Sequence, residues 1–211
     1  PLAERLGVSR TPLRRALTIL EQEGLLTKSG SRSYEVRRFS IGDIADAIEV
    51  RGVLEGLAAR QVAEHGAPRG LMRELQEVVD VGDRIVTRDV LSAEDRALYF
   101  DLNARFHHAI VDASGNEALI SAIAHNDRIP FASAEAVAFH KDAIGDERNR
   151  FVLAHMQHKM IVQALEAGEG ARVEGLMREH AQVGKNNMMF LRDDPRELTD
   201  SDMPGLRLIV A

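Results

Sequence analysis

Leu6-Gly7-Val8-Ser9-Arg10-Thr11-Pro12-Leu13-Arg14-Arg15-Ala16-Leu17-Thr18-Ile19-Leu20-Glu21-Gln22-Glu23-Gly24-Leu25 reads as a tight turn followed by a short basic helix. Gly7 supplies the backbone freedom of the turn. Ser9 suits the N-cap, and Pro12 falls in the first turn, where no intrahelical N–H bond is lost. Leu13, Ala16, Leu17 and Leu20 follow the i, i+3, i+4, i+7 rule, so this face is predicted to pack inward. Arg10, Thr11, Arg14, Arg15 and Thr18 are left at the start and on the outer face. Gly24 is placed to end the helix as a left-handed C′ residue. Such a helix suits the DNA major groove: arginine grips a guanine edge in bidentate fashion, and hydroxyls and the helix N-terminus hold phosphates. A surface helix with merely solvated arginines has the same periodicity, so this stretch alone leaves both readings open.

Beyond it the helical pattern breaks. Leu26-Thr27-Lys28 and Tyr34-Glu35-Val36-Arg37 each suit a short strand, with turn chemistry in Ser29-Gly30-Ser31-Arg32-Ser33 between them. Gly30 and Arg32 at the tip can approach phosphates or the minor groove; a solvated hairpin is the alternative for Arg32 taken alone. Residues 1–38 hold eight Lys/Arg against four acids, a balance of +4 that leaves −10 on the rest of a chain whose net charge is −6. A basic head on an acidic body is expected where only the head meets nucleic acid.

Leu2-Ala3-Glu4, Leu6 to Arg14, Ala16-Leu17, Leu20 and Glu23-Gly24-Leu25 together resemble the winged helix-turn-helix of GntR-type bacterial transcription regulators. Arg15 stands where an acidic residue is common. Pro1-Leu2 opens inside what the resemblance makes the first helix of the helix-turn-helix pair, so the helix before it is expected to be missing from the head. The resemblance implies double-stranded DNA as a partner, contacted by Ser9, Arg10, Thr11, Arg14, Arg15, Gly30 and Arg32. It also implies a palindromic operator read by a homodimer, since paired half-sites require paired recognition helices.

Composition sets the remaining bounds. The 211 residues are enough to bury a sizeable core, and 45% hydrophobic content argues against disorder. Only 4% is aromatic, with no Trp, which fits helices filled by Leu, Ala, Val and Met better than a β-sandwich. With no cysteine, disulfides and thiolate metal sites are excluded. There is neither a signal peptide nor an apolar run long enough to span a bilayer, so a cytoplasmic protein without a membrane partner is expected.

From residue 39 the sequence reads as helices. Ser40 with Asp43 makes a capping box for a helix to about Glu64, stopped by Gly66-Ala67-Pro68. A second runs from about Arg69 to Val86. Ser92 with Asp95 caps a third, reaching Ala113, and Asn116 caps a fourth, to about Asn126. A short helix is predicted near Phe131–Phe139, a longer one from Asp146 to Ala167, and a last one from about Gly170 to Leu191. The expected fold is therefore mainly α. A winged helix-turn-helix, truncated at its start, spans 1–38; an antiparallel bundle of six or seven helices spans 39–192; a tail spans 193–211. The order resembles the FCD ligand-binding domain of the FadR-like branch of GntR regulators, and Glu49-Val50-Arg51 with Leu54-Glu55 fits that domain too.

Three of the eight histidines fall at informative positions. Asn103 and His107 stand at i and i+4 on one helix face. His158 shares a face with Phe151, Ala154, Ile161, Val162 and Leu165, and His180 shares one with Val173, Leu176, Met177, Val183 and Asn187. Three inward imidazoles and a carboxamide from three helices can converge on one divalent metal; neutral imidazole suits Zn, Ni, Cu or Fe. Inward histidines also occur as hydrogen-bonded core residues, and the pattern alone does not choose. The FCD resemblance does: it implies a divalent transition metal, Zn or Ni foremost, held by Asn103, His107, His158 and His180, that helps bind a small organic acid. Asn103 takes a position often held by Asp.

Arg51 could grip a carboxylate of that acid, or form an i,i+4 salt bridge to Glu55. Arg128 is a candidate of the same kind, as is Asn187 on the face of His180. His155 and His108 read as surface or supporting residues, and Met156, Met160, Met177, Met188 and Met189 as adaptable core. The expected function is a metabolite-responsive, DNA-binding transcription regulator, most often a repressor in this family, and not an enzyme. The alternative is a metal-dependent enzyme acting on a small carboxylate within the bundle, for which no positioned base is evident.

Overall fold

The computed structural model describes residues 2–30, 33–134, 144–193 and 208–210. The head comprises α1 (Leu2–Arg5), α2 (Arg10–Gln22), β1 (Leu26–Lys28) and β2 (Tyr34–Val36). Ser9 stands at the N-cap of α2 in extended conformation, but its side chain makes no capping bond. Gly24 takes φ of 74° after the last turn, and the Leu25 N–H closes onto the Leu20 carbonyl at 3.0 Å. The two strands pair antiparallel, Leu26 with Val36 and Lys28 with Tyr34. The hydroxyls of Thr18 and Tyr34 lie 3.3 Å apart and tie α2 to the hairpin. The predicted inward face of α2 is only partly covered: Leu13 and Leu17 are half-buried, whereas Ala16 and Leu20 stay exposed. Among the described residues, α1 and the hairpin are too small to close over that stripe.

A two-residue strand, β3 (Phe39–Ser40), leads into α3 (Ile41–His65), and the bundle continues through α4 (Arg69–Val86), α5 (Ala93–Ala113), α6 (Glu117–Asn126), α7 (Ile144–Glu166) and α8 (Gly170–Asp193). Both predicted capping boxes form, Ser40 with Asp43 and Ser92 with Asp95. The Asn116 carboxamide accepts from the Leu119 N–H at 3.2 Å and starts α6. The main core joins α4, α5, α7 and α8 through Leu75, Val78, Phe106, Ile110, Phe151, Ile161, Leu165, Val173 and Met177.

The crossing of α3 and α8 is what brings the site together. A Cβ on Gly52 would lie 2.6 Å from the Ala181 Cβ, and one on Gly56 would lie 3.0 Å from the Glu174 carbonyl oxygen. Two glycines one turn apart thus let the backbones approach more closely than any side chain permits. Arg51 and Glu55 ride on α3 beside that contact, and His180 on α8.

Three expectations are amended. Phe131–Ala134 forms a turn rather than the start of a helix, with Phe131 at φ of 64°, and residues 135–143 lie outside the described set. The expected tail does not hold at its end: Ile209–Val210 forms β4, pairing parallel with Phe39–Ser40. Ile209 is apolar and joins Phe39, Ile41, Ile44, Ile48 and Ala181 in a second cluster, against which Ile129 and Phe131 also pack. The methionine set is split: Met177 is fully buried, but Met156 is 52% exposed and Met160 38%, since they face away from the side of α7 that carries His155 and His158. The side chains of Met188 and Met189 lie outside the described residues. No helix among those described is long and apolar enough to cross a membrane.

Candidate functional site

On the head, Ser9, Arg10, Thr11, Arg14 and Arg15 are all exposed. Arg10, Thr11, Arg14 and Arg15 line one concave surface with Thr18, Ile19 and Gln22. Helical spacing does this: residues three and four apart share a face. Thr18 turns its hydroxyl back to the Arg14 carbonyl at 3.0 Å. Gly30 is exposed at the hairpin tip with φ of 88°, and Arg32 lies outside the described residues.

Within the bundle, His107 of α5, His158 of α7 and His180 of α8 converge. Each offers one ring nitrogen, and these atoms all lie within 4.8 Å of one another. All three rings are buried. His158 Nε2 stands 3.1 Å from His180 Nε2. Two nitrogens on a tetrahedral zinc are separated by about 3.3 Å, given Zn–N bonds of about 2.0–2.1 Å.

The protonation pattern follows from the partners. His107 Nδ1–H donates to the Glu55 carboxylate at 2.9 Å, and His180 Nδ1–H donates to Gln157 Oε1 at 2.9 Å. In a neutral imidazole that leaves the lone pair on Nε2 of each ring, the form a metal requires. Phe106, fully buried, stacks on His158 with centroids 4.1 Å apart and fixes the plane of that ring. Burial first, then the charges of the neighbouring imidazoles, hold His158 well below the ordinary histidine range. Burial, followed by the charge at His107, pushes His180 down to about 3. Burial alone would raise the Glu55 carboxyl, but the charges at His107 and Arg51 and the His107 hydrogen bond outweigh it and hold Glu55 at about 2.

Asn103 is buried and lines the same small cavity as Arg51, His107 and His180. Its Nδ2 donates to the Ala134 carbonyl at 2.8 Å, so its oxygen is the atom it can turn toward a cation. Arg51 is also buried; its Nη1 donates to the Ala132 carbonyl at 2.5 Å, and its Nε faces Glu55 at 3.6 Å. The foreseen i,i+4 pair with Glu55 is thus present, and Arg51 stands on the wall of the same cavity as Asn103, His107 and His180. Arg128 is not brought to the histidines: it pairs with Glu23 at the end of α2. Asn187 lies on α8, with its side chain outside the described residues. His155, read as a surface or supporting residue, is buried and bonds Asp83 at 3.0 Å, because Gly82 leaves room for its ring.

Sequence reasoning missed Glu55 as the partner of His107, Gln157 as that of His180, and Phe106 as the support of His158. Glu55 carried a signal, being one turn from Arg51, but only the intrahelical pair was read from it.

The donor set suits a divalent transition metal: three converging imidazoles, two of them hydrogen-bonded from behind at Nδ1, and a carboxamide in the same cavity wall.

Comparison with known proteins places this architecture. Residues 1–36 match the bacterial regulatory proteins of the gntR family, and residues 46–183 match the FCD domain. The chain is 30% identical over 188 residues to the Nta operon transcriptional regulator of Aminobacter aminovorans, covering 82% of this chain and 86% of that relative. It resembles the solved structure of Lar, described as controlling expression of the Listeria monocytogenes agr system, with a TM-score of 0.59 and 17% identity over 90% of this chain and 84% of that one. E. coli McbR/YncC is similar at a TM-score of 0.55 and 19% identity, covering 92% of this chain and 85% of the other. These two likenesses are of fold. With a family match over each region and a relative of this identity across most of its length, the chain belongs to the GntR family of bacterial regulatory proteins, with an FCD domain behind its DNA-binding head, and is a DNA-binding transcription regulator.

Proposed function

We propose that the chain is a metabolite-responsive regulator, acting as a repressor, whose bundle binds a small organic acid with the help of a divalent metal. The observation that carries this reading is the meeting of His107, His158 and His180 with their nitrogens within 4.8 Å of one another. Asn103 is the fourth protein ligand, and zinc or nickel the metal that the nitrogen-rich set suits best. When bound, such an ion supplies a Lewis-acid position at which a carboxylate oxygen can attach. Arg51, positively charged and on the same cavity wall, neutralises that carboxylate. Glu55 and Gln157 orient two of the imidazoles.

The head, residues 1–38, contacts DNA through Ser9, Arg10, Thr11, Arg14 and Arg15, with Gly30 and Arg32 of the wing on the backbone. Two heads are needed for a palindromic operator. The second copy is placed against the outward side of α3, where Val50, Val53 and Leu57 are 49%, 44% and 40% exposed at i, i+3 and i+7. An apolar stripe of this kind on an otherwise acidic surface favours self-association. Regulation is linkage: an acid that binds one arrangement of the paired bundles better than the other changes how the heads sit. DNA then alters the affinity for the acid by the same factor.

The test uses a duplex selected from a random pool by the full chain and a series of small mono-, di- and tricarboxylates. The zinc-loaded protein is expected to change its duplex affinity with at least one acid by a factor of about 5–150. If acids bind the bundle and leave duplex affinity untouched, the regulatory reading falls.

A further inference from the structure

The cavity beside the histidines has a volume of about 40 Å³. That is room for one or two waters and far below the roughly 300 Å³ of an ordinary ligand pocket. The turn after α6 supplies acceptors to two residues of this cavity's wall. The carbonyl of Ala132, fully buried, takes the Arg51 Nη1 donor, and the carbonyl of Ala134, 3% exposed, takes the Asn103 Nδ2 donor. Arg51 is 7% exposed, and its Nε has no hydrogen-bond partner, an unusual state for a buried guanidinium. Two donors from the wall of one cavity thus go to neutral backbone oxygens, while the third, Arg51 Nε, faces Glu55 at 3.6 Å without a hydrogen bond. A carboxylate would satisfy the same groups with charge-assisted bonds, about twice as strong as neutral ones.

The same turn reaches the head. Ile129 and Phe131 pack on the cluster that contains Phe39, the residue joining the wing to α3, and Ile209 of β4. Arg128 pairs with Glu23 at the end of α2. Phe131 holds φ of 64°, a left-handed conformation that a phenylalanine adopts only where its surroundings impose it.

We infer that the 128–134 turn occupies the acid-binding position itself, with the Ala132 and Ala134 carbonyls standing in for carboxylate oxygens on Arg51 and Asn103, and that an incoming carboxylate expels this turn and so loosens the Phe39 linker and the Arg128–Glu23 pair. The inference rests on the reading of the cavity as a carboxylate site. It gives Asn103 Nδ2 a ligand-binding role in addition to its oxygen's role toward metal. It also names the element that carries binding to the DNA-binding head: a turn with its carbonyls in the site and its side chains on the linker.

Hydrogen exchange on the zinc-loaded full chain tests it, read on the amides of Ile129 and Ala132, which bond to Asn126 and Ile129, and on the linker around Phe39. Arg51→Lys keeps the charge opposite Glu55 but loses the fork; Asn103→Ala removes the other donor and serves if the first variant fails to fold. Losing either bond is expected to speed exchange of the turn about tenfold, with faster exchange at the linker and none at α4. Acetate and citrate, added in turn to the unaltered protein, are expected to produce the same pattern. An unchanged turn in both variants overturns the stand-in role. A loosened turn with an unchanged linker overturns the relay. If both variants loosen turn and linker while neither acid binds, the relay is upheld and it is the carboxylate reading of the cavity that fails.

Discussion

Replacing Glu55 by Gln tests whether the histidine centre is held from behind by a buried charge. Glu55 is 2% exposed, accepts from His107 Nδ1 at 2.9 Å and faces Arg51 Nε at 3.6 Å. Its carboxyl is held at about 2 against an ordinary 4.5. A depression of that size corresponds to about 3 kcal/mol of stability. Because the folded-state value lies below the unfolded one, this stability is fully present above the unfolded value of 4.5 and is lost as pH falls toward 2. Glutamine keeps an acceptor for His107 but removes the charge, leaving Arg51 buried without compensation. Glu55→Gln is therefore expected to destabilise the metal-free protein at neutral pH by about 3 kcal/mol and to weaken zinc binding by roughly 10–100-fold. Urea unfolding after chelation gives the first quantity, and titration against a competing chelator the second. The stability gap between the two proteins must shrink as pH falls from 4.5 toward 2, where the unfolded-state carboxyl is already protonated and the native one is not. A gap that persists unchanged to low pH, or an unaltered zinc affinity, would show that no buried charge at Glu55 holds the histidine centre.

Three further outcomes follow from the geometry. Gly52→Val drives a side chain into Ala181, beside His180, and should cost about 3 kcal/mol in urea unfolding, whereas Gly175→Ala, with nothing within 4 Å, should stabilise α8 by up to about 1 kcal/mol. Because His180 sits at about 3 in the fold against 6.5 unfolded, stability of the metal-free protein should be full above 6.5 and fall as pH drops toward 3. By pH 5 the loss from His180 alone is about 2 kcal/mol, and unfolding midpoints that do not move between pH 7.5 and 5 would contradict the buried neutral imidazole. Arg14→Ala should cost about 1–3 kcal/mol in duplex affinity and relax selectivity at one base position if it reads an edge; if it holds only phosphate, it should flatten the salt dependence by about one charge. Anisotropy over a salt series separates these, and no change with both Arg10 and Arg14 replaced would remove α2 from the DNA interface.

Much of the fold was legible because local rules and the tertiary structure agree. Ser40–Asp43, Ser92–Asp95 and Asn116 satisfy orphan N–H groups whatever packs around them, so they marked three helix starts correctly. His107, His158 and His180 were legible because helical periodicity faces them inward, and a bundle has one interior. What was missed depends on contacts between distant segments. Glu55 and His107 are 52 residues apart, and Arg51 and the Ala132 carbonyl 81 apart. No periodicity links them. Ile209 looked like the end of a polar tail because its partner, Phe39, lies at the opposite end of the bundle's sequence. The close approach of α3 and α8 was readable in principle from Gly52 and Gly56 one turn apart, but a glycine in a helix reads first as a weakness.

The most direct measurement of the central claim is a calorimetric titration of zinc, then nickel, into the chelator-stripped full chain, alongside a folded His158→Ala variant. One ion per chain is expected for the native sequence, and no saturable site in the variant. A native protein that takes up neither ion, or a variant that binds as tightly as the native chain, would contradict the claim.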